Sequence, residues 1–373
     1  MPESVLEFLL ATGFAGMSWG RLCMLAIGAS LIYAAIGRRS EPLLLLPMGF
    51  GIIMANMPLA QMGVREPGGL MYYVYKGVEF DIYPPLIFLG LGALTDFYAV
   101  LAQPGVLLLG AAAQFGVFVA MFAAMLVGFG PQRAAAIGII GGADGPTAVF
   151  LANKLAPELL APISIAAYSY IALVPLIQPP IMKALTTEQE RKIKMRSLRK
   201  VSGAEKLLFP VVAFIIVALF APGAGPLMGA MMLGNLLRES GVTKRLAETA
   251  GGALEDIVTI LLMLSIGASA EASTFLNPQT LAILLLGILA FAVSTAAGVL
   301  FAKLMNLFLK EPINPLIGAA GVSAVPASAR VAQRLAQEAD PSTHVLFHAM
   351  GPNVSGVIGT AAAAGVLLAI FGS

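Results

Sequence analysis

A handful of polar residues stand where this chain is otherwise apolar, and their types suggest chemistry. Asp144 is the one acid between Asp96 and Glu158, and it lies inside GGADGPTAVF (residues 141–150). The nearest basic residues are Arg133 and Lys154, so its own segment offers no close salt bridge. At membrane depth a carboxylate costs at least about 2.5–3.5 kcal/mol. It must be held ionised by a cation, be protonated, or pair with a group distant in sequence. A helix-capping role beside a watery loop is the plainer alternative. A bound cation accounts for it best.

The available ligands narrow the ion. One Cys (Cys23) and two His provide no Cys/His cluster, so a transition metal is not expected. Hard oxygen donors occur in Asn314 and Ser323, with Gly318 between them for close backbone approach, and in Asn353 of GPNVSG. One carboxylate with neutral oxygens balances a monovalent charge better than a divalent one, which points to Na+ with H+ as competitor. Each Asn or Ser could equally be interhelical glue. Tyr170, in YSYIALVPLIQPP, is either an interfacial anchor or a proton donor. Arg330 carries a planar fork suited to a carboxylate, or else snorkels to the interface with Arg334.

These residues must be positioned by membrane helices. Of 373 residues, 58% are hydrophobic and 11% charged, against roughly 25% charged in a soluble domain; the mean hydropathy is +0.89. No soluble fold could cover its surface with so little charge. The net charge of +2 implies no nucleic-acid partner, and one Cys allows no internal disulfide. Windows of about 20 apolar residues fall near 14–37, 43–60, 84–102, 104–128, 160–184, 206–222, 249–267, 277–304 and 345–371. Residues 1–11 read as a short amphipathic start rather than a signal peptide. Strands are excluded because open sheet edges cannot face lipid, so the expected fold is an all-α polytopic membrane protein.

Two further segments, 134–152 and 313–329, are apolar but dense in Gly, Pro and small residues. A shift of 180 residues aligns 137–158 with 317–338, with eight of 22 positions identical. Collinear with this, PMGFGIIMAN (47–56) answers PLMGAMMLGN (226–235), and IFLGLGALTD (87–96) answers LMLSIGASAE (262–271). The expectation is two homologous, inverted repeats, 1–185 and 206–373, whose broken or re-entrant helices meet at a midplane site. The stretch 183–206 holds eight of the 22 basic residues; the loop within it, 186–205, is expected on the cytoplasmic side. It is either a solvated linker or a docking surface. His344 and His348, the Gly90/Gly92 pair, Trp19 and the 18 Met carry no specific chemical signal.

GGADGPTAVFLANKLAP, AAYSYIALVPLIQPPIMK, PLIGAAGVSAVPASARVAQ and HAMGPNVSGVIGTAAAAGVLL together resemble the β subunit of the sodium-pumping, biotin-dependent decarboxylases. That family serves oxaloacetate, glutaconyl-CoA, methylmalonyl-CoA and malonate decarboxylases, and this chain is similar to its shorter members. The resemblance implies a multi-pass protein of the bacterial inner membrane that decarboxylates carboxybiotin and exports Na+. It implies a carboxyltransferase subunit, a biotin carrier protein, a small single-span subunit and a homo-oligomer as partners. It places the family's metal ligands at Asp144, Asn314, Ser323 and Asn353, its catalytic groups at Tyr170, Asp144 and Arg330, and its carboxybiotin contacts at Arg330 and Gly318. Composition and repeats alone fit a Na+-coupled carboxylate transporter equally well; the four motifs separate the two.

Overall fold

The computed structural model describes residues 12–58 and 62–372, and its regular elements there are all helical. The expected start over residues 1–11 lies outside the described residues. The main helices of the first half are α1 (Trp19–Gly37), α2 (Pro42–Ala55), α3 (Leu70–Glu79), α4 (Tyr83–Leu94), α5 (Pro104–Leu126), α6 (Pro131–Gly138), α7 (Gly145–Leu155) and α8 (Leu160–Leu185). After the basic loop come α9 (Gly203–Phe220), α10 (Gly225–Glu239), α11 (Glu255–Ala268), α12 (Pro278–Asn306), α13 (Leu316–Ala319), α14 (Ala327–Ala339) and α15 (Leu346–Phe371).

Seven helical segments among the described residues are long and apolar enough to cross a membrane: α1, α5, α8, α9, the stretch Lys244–Ala268 that ends in α11, α12 and α15. The chain is therefore a multi-pass membrane protein. The windows expected at 43–60 and 84–102 form shorter pieces. Helix α2 has 14 residues, about 21 Å of rise. Helices α3 and α4 meet at a 67° bend. Local signals set the ends: Ser202 and Glu205 form a capping box at α9, and Asn277 caps Thr280 N–H of α12 at 2.8 Å.

Both Gly/Pro-rich segments are interrupted helices. In the first, α6 tightens into a short turn at Ile139–Gly142, Ala143 takes a left-handed φ of 53°, and α7 restarts behind Asp144. In the second, α13 ends at Ala319 and α14 begins at Ala327. The bases of the two hairpins lie at opposite ends of the bundle. Arg133 pairs with Glu158 at 2.7 Å just before α8, and Gln132 donates to the Phe371 carbonyl at the end of α15. At the other hairpin, Glu338 pairs with Lys183 near the end of α8, and Gln333 accepts from Val345 and Leu346 N–H at the start of α15. Helices α8 and α15, of 26 residues each, are about 39 Å long. They run from one base to the other, so the tips approach each other from opposite sides.

The halves exchange helices. Helix α2 packs on α11, and α4 packs on α10. In both crossings a glycine of each helix lies against a carbonyl of its neighbour. A Cβ on Gly51 would fall 2.4 Å from the Leu264 carbonyl, and one on Gly267 2.1 Å from that of Met48. In the other crossing Gly92 meets Met231 and Gly234 meets Leu89 in the same way, at 1.9 and 2.0 Å. Each crossing closes with an Asn: Asn56 donates to the Ala270 carbonyl at 2.9 Å, and Asn235 to that of Thr95 at 3.0 Å. These are the two Asn residues that end the aligned segments 47–56 and 226–235. Close approach without side chains is how helices pack tightly where lipid supplies no hydrophobic drive.

Candidate functional site

The two hairpin tips touch directly. Ser323 donates to the Gly142 carbonyl twice, from its backbone N–H at 2.9 Å and its Oγ at 2.7 Å. Thr360 of α15 lies 3.4 Å from Ser323 Oγ and 3.2 Å from Gln114 Oε1 of α5, so the seam is bounded by polar groups from both halves. Asp144 stands at this seam as the N-cap of α7. Its Oδ1 accepts from Thr147 N–H at 3.3 Å, so the capping alternative is real. Its Oδ2 is buried and has no hydrogen-bond partner. A buried carboxylate oxygen lacking a donor is costly unless a cation or proton satisfies it. Asp144 and Ser323 line one cavity of about 150 Å³, together with Tyr168, Glu41, Glu255 and Thr259.

Asn353 is fully buried on α15 and ties down the interrupted part of the second hairpin. Its Nδ2 donates to the carbonyls of Ala320 at 3.0 Å and Val322 at 2.8 Å, while its Oδ1 has no partner. Gln178 of α8, which sequence reading passed over, behaves alike. It donates to the Ala319 carbonyl at 3.0 Å and leaves Oε1 buried without a donor. Three acceptor oxygens with no donor thus accompany the two tips. They are hard ligands of the kind an alkali cation takes.

The other expected site residues lie elsewhere. Asn314 is clasped by the basic loop: its Nδ2 donates to the carbonyls of Arg191 at 2.8 Å and Ile193 at 3.0 Å, and its Oδ1 accepts from Leu316 N–H. Gly318 makes the closest crossing of the second hairpin with α12, where a Cβ would lie 2.1 Å from the Gly298 carbonyl. Arg330 is exposed near the start of α14, and its charge acts on Glu41. Tyr170 points away from the Asp144 cavity. Its hydroxyl donates to the Leu284 carbonyl of α12, and its ring covers Gly287. Tyr168 is the tyrosine at the cavity; its ring lies against Gly145, where a Cβ would fall 2.1 Å away. Two residues along a helix turn a side chain by about 200°, so the pair flanking Ser169 faces opposite ways.

The loop itself is well tethered. Beyond Asn314, Arg196 pairs with Glu311 at 2.5 Å, the Arg196 carbonyl meets His348 Nε2 at 2.6 Å, and Lys194 faces Asp340 at 3.9 Å. On its other side, Tyr98 donates to the Arg199 carbonyl and Arg199 to that of Leu101. A freely solvated linker would show none of these bonds. The single His348 contact is a loop tether, and among the described residues no group of three or more His, Cys, Asp or Glu could hold a metal ion.

Comparison with known proteins agrees with this architecture. Residues 20–371 match the model of the family described as Na+-transporting oxaloacetate decarboxylase beta subunit. The chain is 54% identical to the methylmalonyl-CoA decarboxylase subunit beta of Propionigenium modestum, over the whole of both chains. It is 53% identical to the glutaconyl-CoA decarboxylase subunit beta of Acidaminococcus fermentans, covering 97% of this chain and 96% of that one. It is 48% identical to the oxaloacetate decarboxylase beta chain of Haemophilus ducreyi, covering 98% of each. With a match across nearly its full length, the chain belongs to the family of Na+-transporting oxaloacetate decarboxylase beta subunits.

Proposed function

We propose that this chain decarboxylates carboxybiotin presented by a biotin carrier protein and couples that reaction to Na+ export. The family supports the activity, and one observation supports the site: a buried carboxylate oxygen without a donor, Asp144 Oδ2, at the seam between two interrupted helices. The opposed hairpin bases and the exchanged helix pairs support two inverted repeats, the arrangement in which one site is served alternately from either side. Asp144 holds the ion with Ser323 and Asn353, and Gln178 joins them as a neutral oxygen at the second tip. Asn314 enters the ligand set only if the loop carbonyls of Arg191 and Ile193 let go of its amide.

In the reaction the carboxyl carbon–nitrogen bond of carboxybiotin breaks. CO2 leaves, and the ureido nitrogen keeps the electron pair and takes a proton. Arg330, exposed one turn into α14 from the second hairpin tip, carries the planar fork proposed to meet the incoming carboxylate. Na+ bound at Asp144 biases closure only if its affinity differs between the two facing states. A proton taking its place on Asp144 favours release on the far side. The partners of the cycle are a carboxyltransferase that loads biotin, the carrier itself, a small single-span subunit and further copies of this chain. The names of the relatives give no support to a transporter without chemistry.

Reconstituted alone in liposomes and given free carboxybiotin, the protein is expected to release CO2 with a Na+ requirement. Na+ and carboxylate movement without CO2 release would establish the transporter instead. Tyr170→Phe removes the side-chain donor from the Leu284 carbonyl, which lies inside α12 and keeps its helical partner, a loss of about 0.5–1.5 kcal/mol. If the hydroxyl delivers the proton, decarboxylation slows more than Na+ half-saturation rises. Equal loss of both marks Tyr170 as packing between α8 and α12. Decarboxylation rate and Na+ dependence measured on one preparation decide between them.

A further inference from the structure

Two acids in the Asp144 cavity have no task in this cycle. Glu41 precedes α2 and Glu255 opens α11. Because α2 and α11 pack in parallel, with Asn56 bonded to Ala270 at their far ends, both carboxylates come to the same end of the cavity. That end carries Arg38, Arg39, Lys244 and Arg245. Lys206, just after the basic loop expected in the cytoplasm, pairs at 3.5 Å with Glu239 at the neighbouring end of α10, so this end is taken as the cytoplasmic side. Glu41 makes no capping hydrogen bond to α2. Among the described residues neither carboxylate is held by a salt bridge or a side-chain hydrogen bond. The charges acting on them are Arg330 on Glu41 and the like-charged Asp256 on Glu255.

Acids at helix N-termini are common and by themselves say little. Here a second observation points to a ligand, since the same cavity ends at the buried, donor-less Oδ2 of Asp144. The three carboxylates do not converge on one ion, but they line a common cavity of about 150 Å³, with Thr259 and Ser323 also among its lining residues, and give it a negative field. We propose that Glu41 and Glu255 form an acidic vestibule that concentrates cytoplasmic Na+ and delivers it to Asp144. The proposal rests on Asp144 as the ion ligand. A low-dielectric cleft lined by one sign of charge raises the local concentration of its counter-ion by ten-fold or more. Arg330, whose charge acts on Glu41, is not among the residues that line the cavity.

The test uses the whole decarboxylase complex in proteoliposomes, with Na+ varied at constant low ionic strength. The double variant Glu41→Gln/Glu255→Gln is expected to raise half-saturating Na+ by about ten-fold, the deficit shrinking as Na+ is increased. Added choline chloride should narrow the gap by weakening the parent protein, since screening acts over about 10 Å at 0.1 M. Glu41→Asp/Glu255→Asp keeps the charge and should stay near the parent value. An unchanged half-saturation in the Gln variant overturns the vestibule, and so does an equal loss in the Asp variant. Asp144→Asn in the same assay judges the ion ligand separately: Na+ dependence surviving there defeats that assignment whatever the vestibule variants show.

Discussion

Asp144→Asn is expected to abolish Na+-dependent pumping while leaving the fold in place. Asn is as good an N-cap as Asp, and its side-chain oxygen can still accept from Thr147 N–H as the Asp144 carboxylate does. What disappears is the charge on the second oxygen, buried and without a donor. Removing one partner of a desolvated charge pair typically costs about 2–5 kcal/mol, a weakening from about 30-fold to beyond a thousand-fold. Uptake of 22Na+ and CO2 release should therefore fall together in proteoliposomes, with detergent-solubilised protein keeping its elution profile and melting temperature. A variant that pumps at the parent rate with the parent's half-saturation would show that Asp144 is only a cap.

Gly267→Val should have the largest effect on stability. The new side chain begins 2.1 Å from the Met48 carbonyl and 3.0 Å from the backbone of Gly51, so nothing flexible is available to yield. The helices α2 and α11 must part, which also withdraws Asn56 from the Ala270 carbonyl and from Ala272 N–H. A loss at the upper end of the overpacking range, about 3 kcal/mol, is expected, with poor membrane yield and a lower melting temperature. Gly203→Ala is the matched control, because nothing lies within 4 Å of its Cβ and it sits in the first turn of α9. If Gly267→Val melts with the control, the close crossing is not what holds α2 to α11.

Much of the architecture could be read from composition and breaks. Long apolar windows became helices, and the Gly/Pro-dense stretches at 134–152 and 313–329 are interrupted where backbone rules say a helix cannot continue. Other features were hidden for physical reasons. The 14-residue α2 was overestimated because apolar residues carry on to Ala60, past the end of the helix at Asn56. Tyr168 was passed over for Tyr170 because α8 is apolar nearly all round, so no periodicity tells which tyrosine faces the tips. Asn314 drew attention as a ligand, yet its partners are main-chain carbonyls of Arg191 and Ile193, which leave no trace in residue identity. Gln178 gave a weak signal, an amide between Ile177 and Pro179 deep in a span, and polar residues in such places are functional by default. Exchange of helices between halves was out of reach, since two aligned segments give no indication of whether each packs within its own half.

The seam where Ser323 holds the Gly142 carbonyl has a further consequence, for insulation. An ion returning down a membrane potential gains about 2.3 kcal/mol per 100 mV, so the barrier between the two sides must exceed that at every moment of the cycle. Two hydrogen bonds to a single oxygen, closed over by Thr360, form a thin dam rather than a thick one. Its tightness comes from geometry: hairpins entering from opposite ends block each other's path, so water reaching one tip still meets the other.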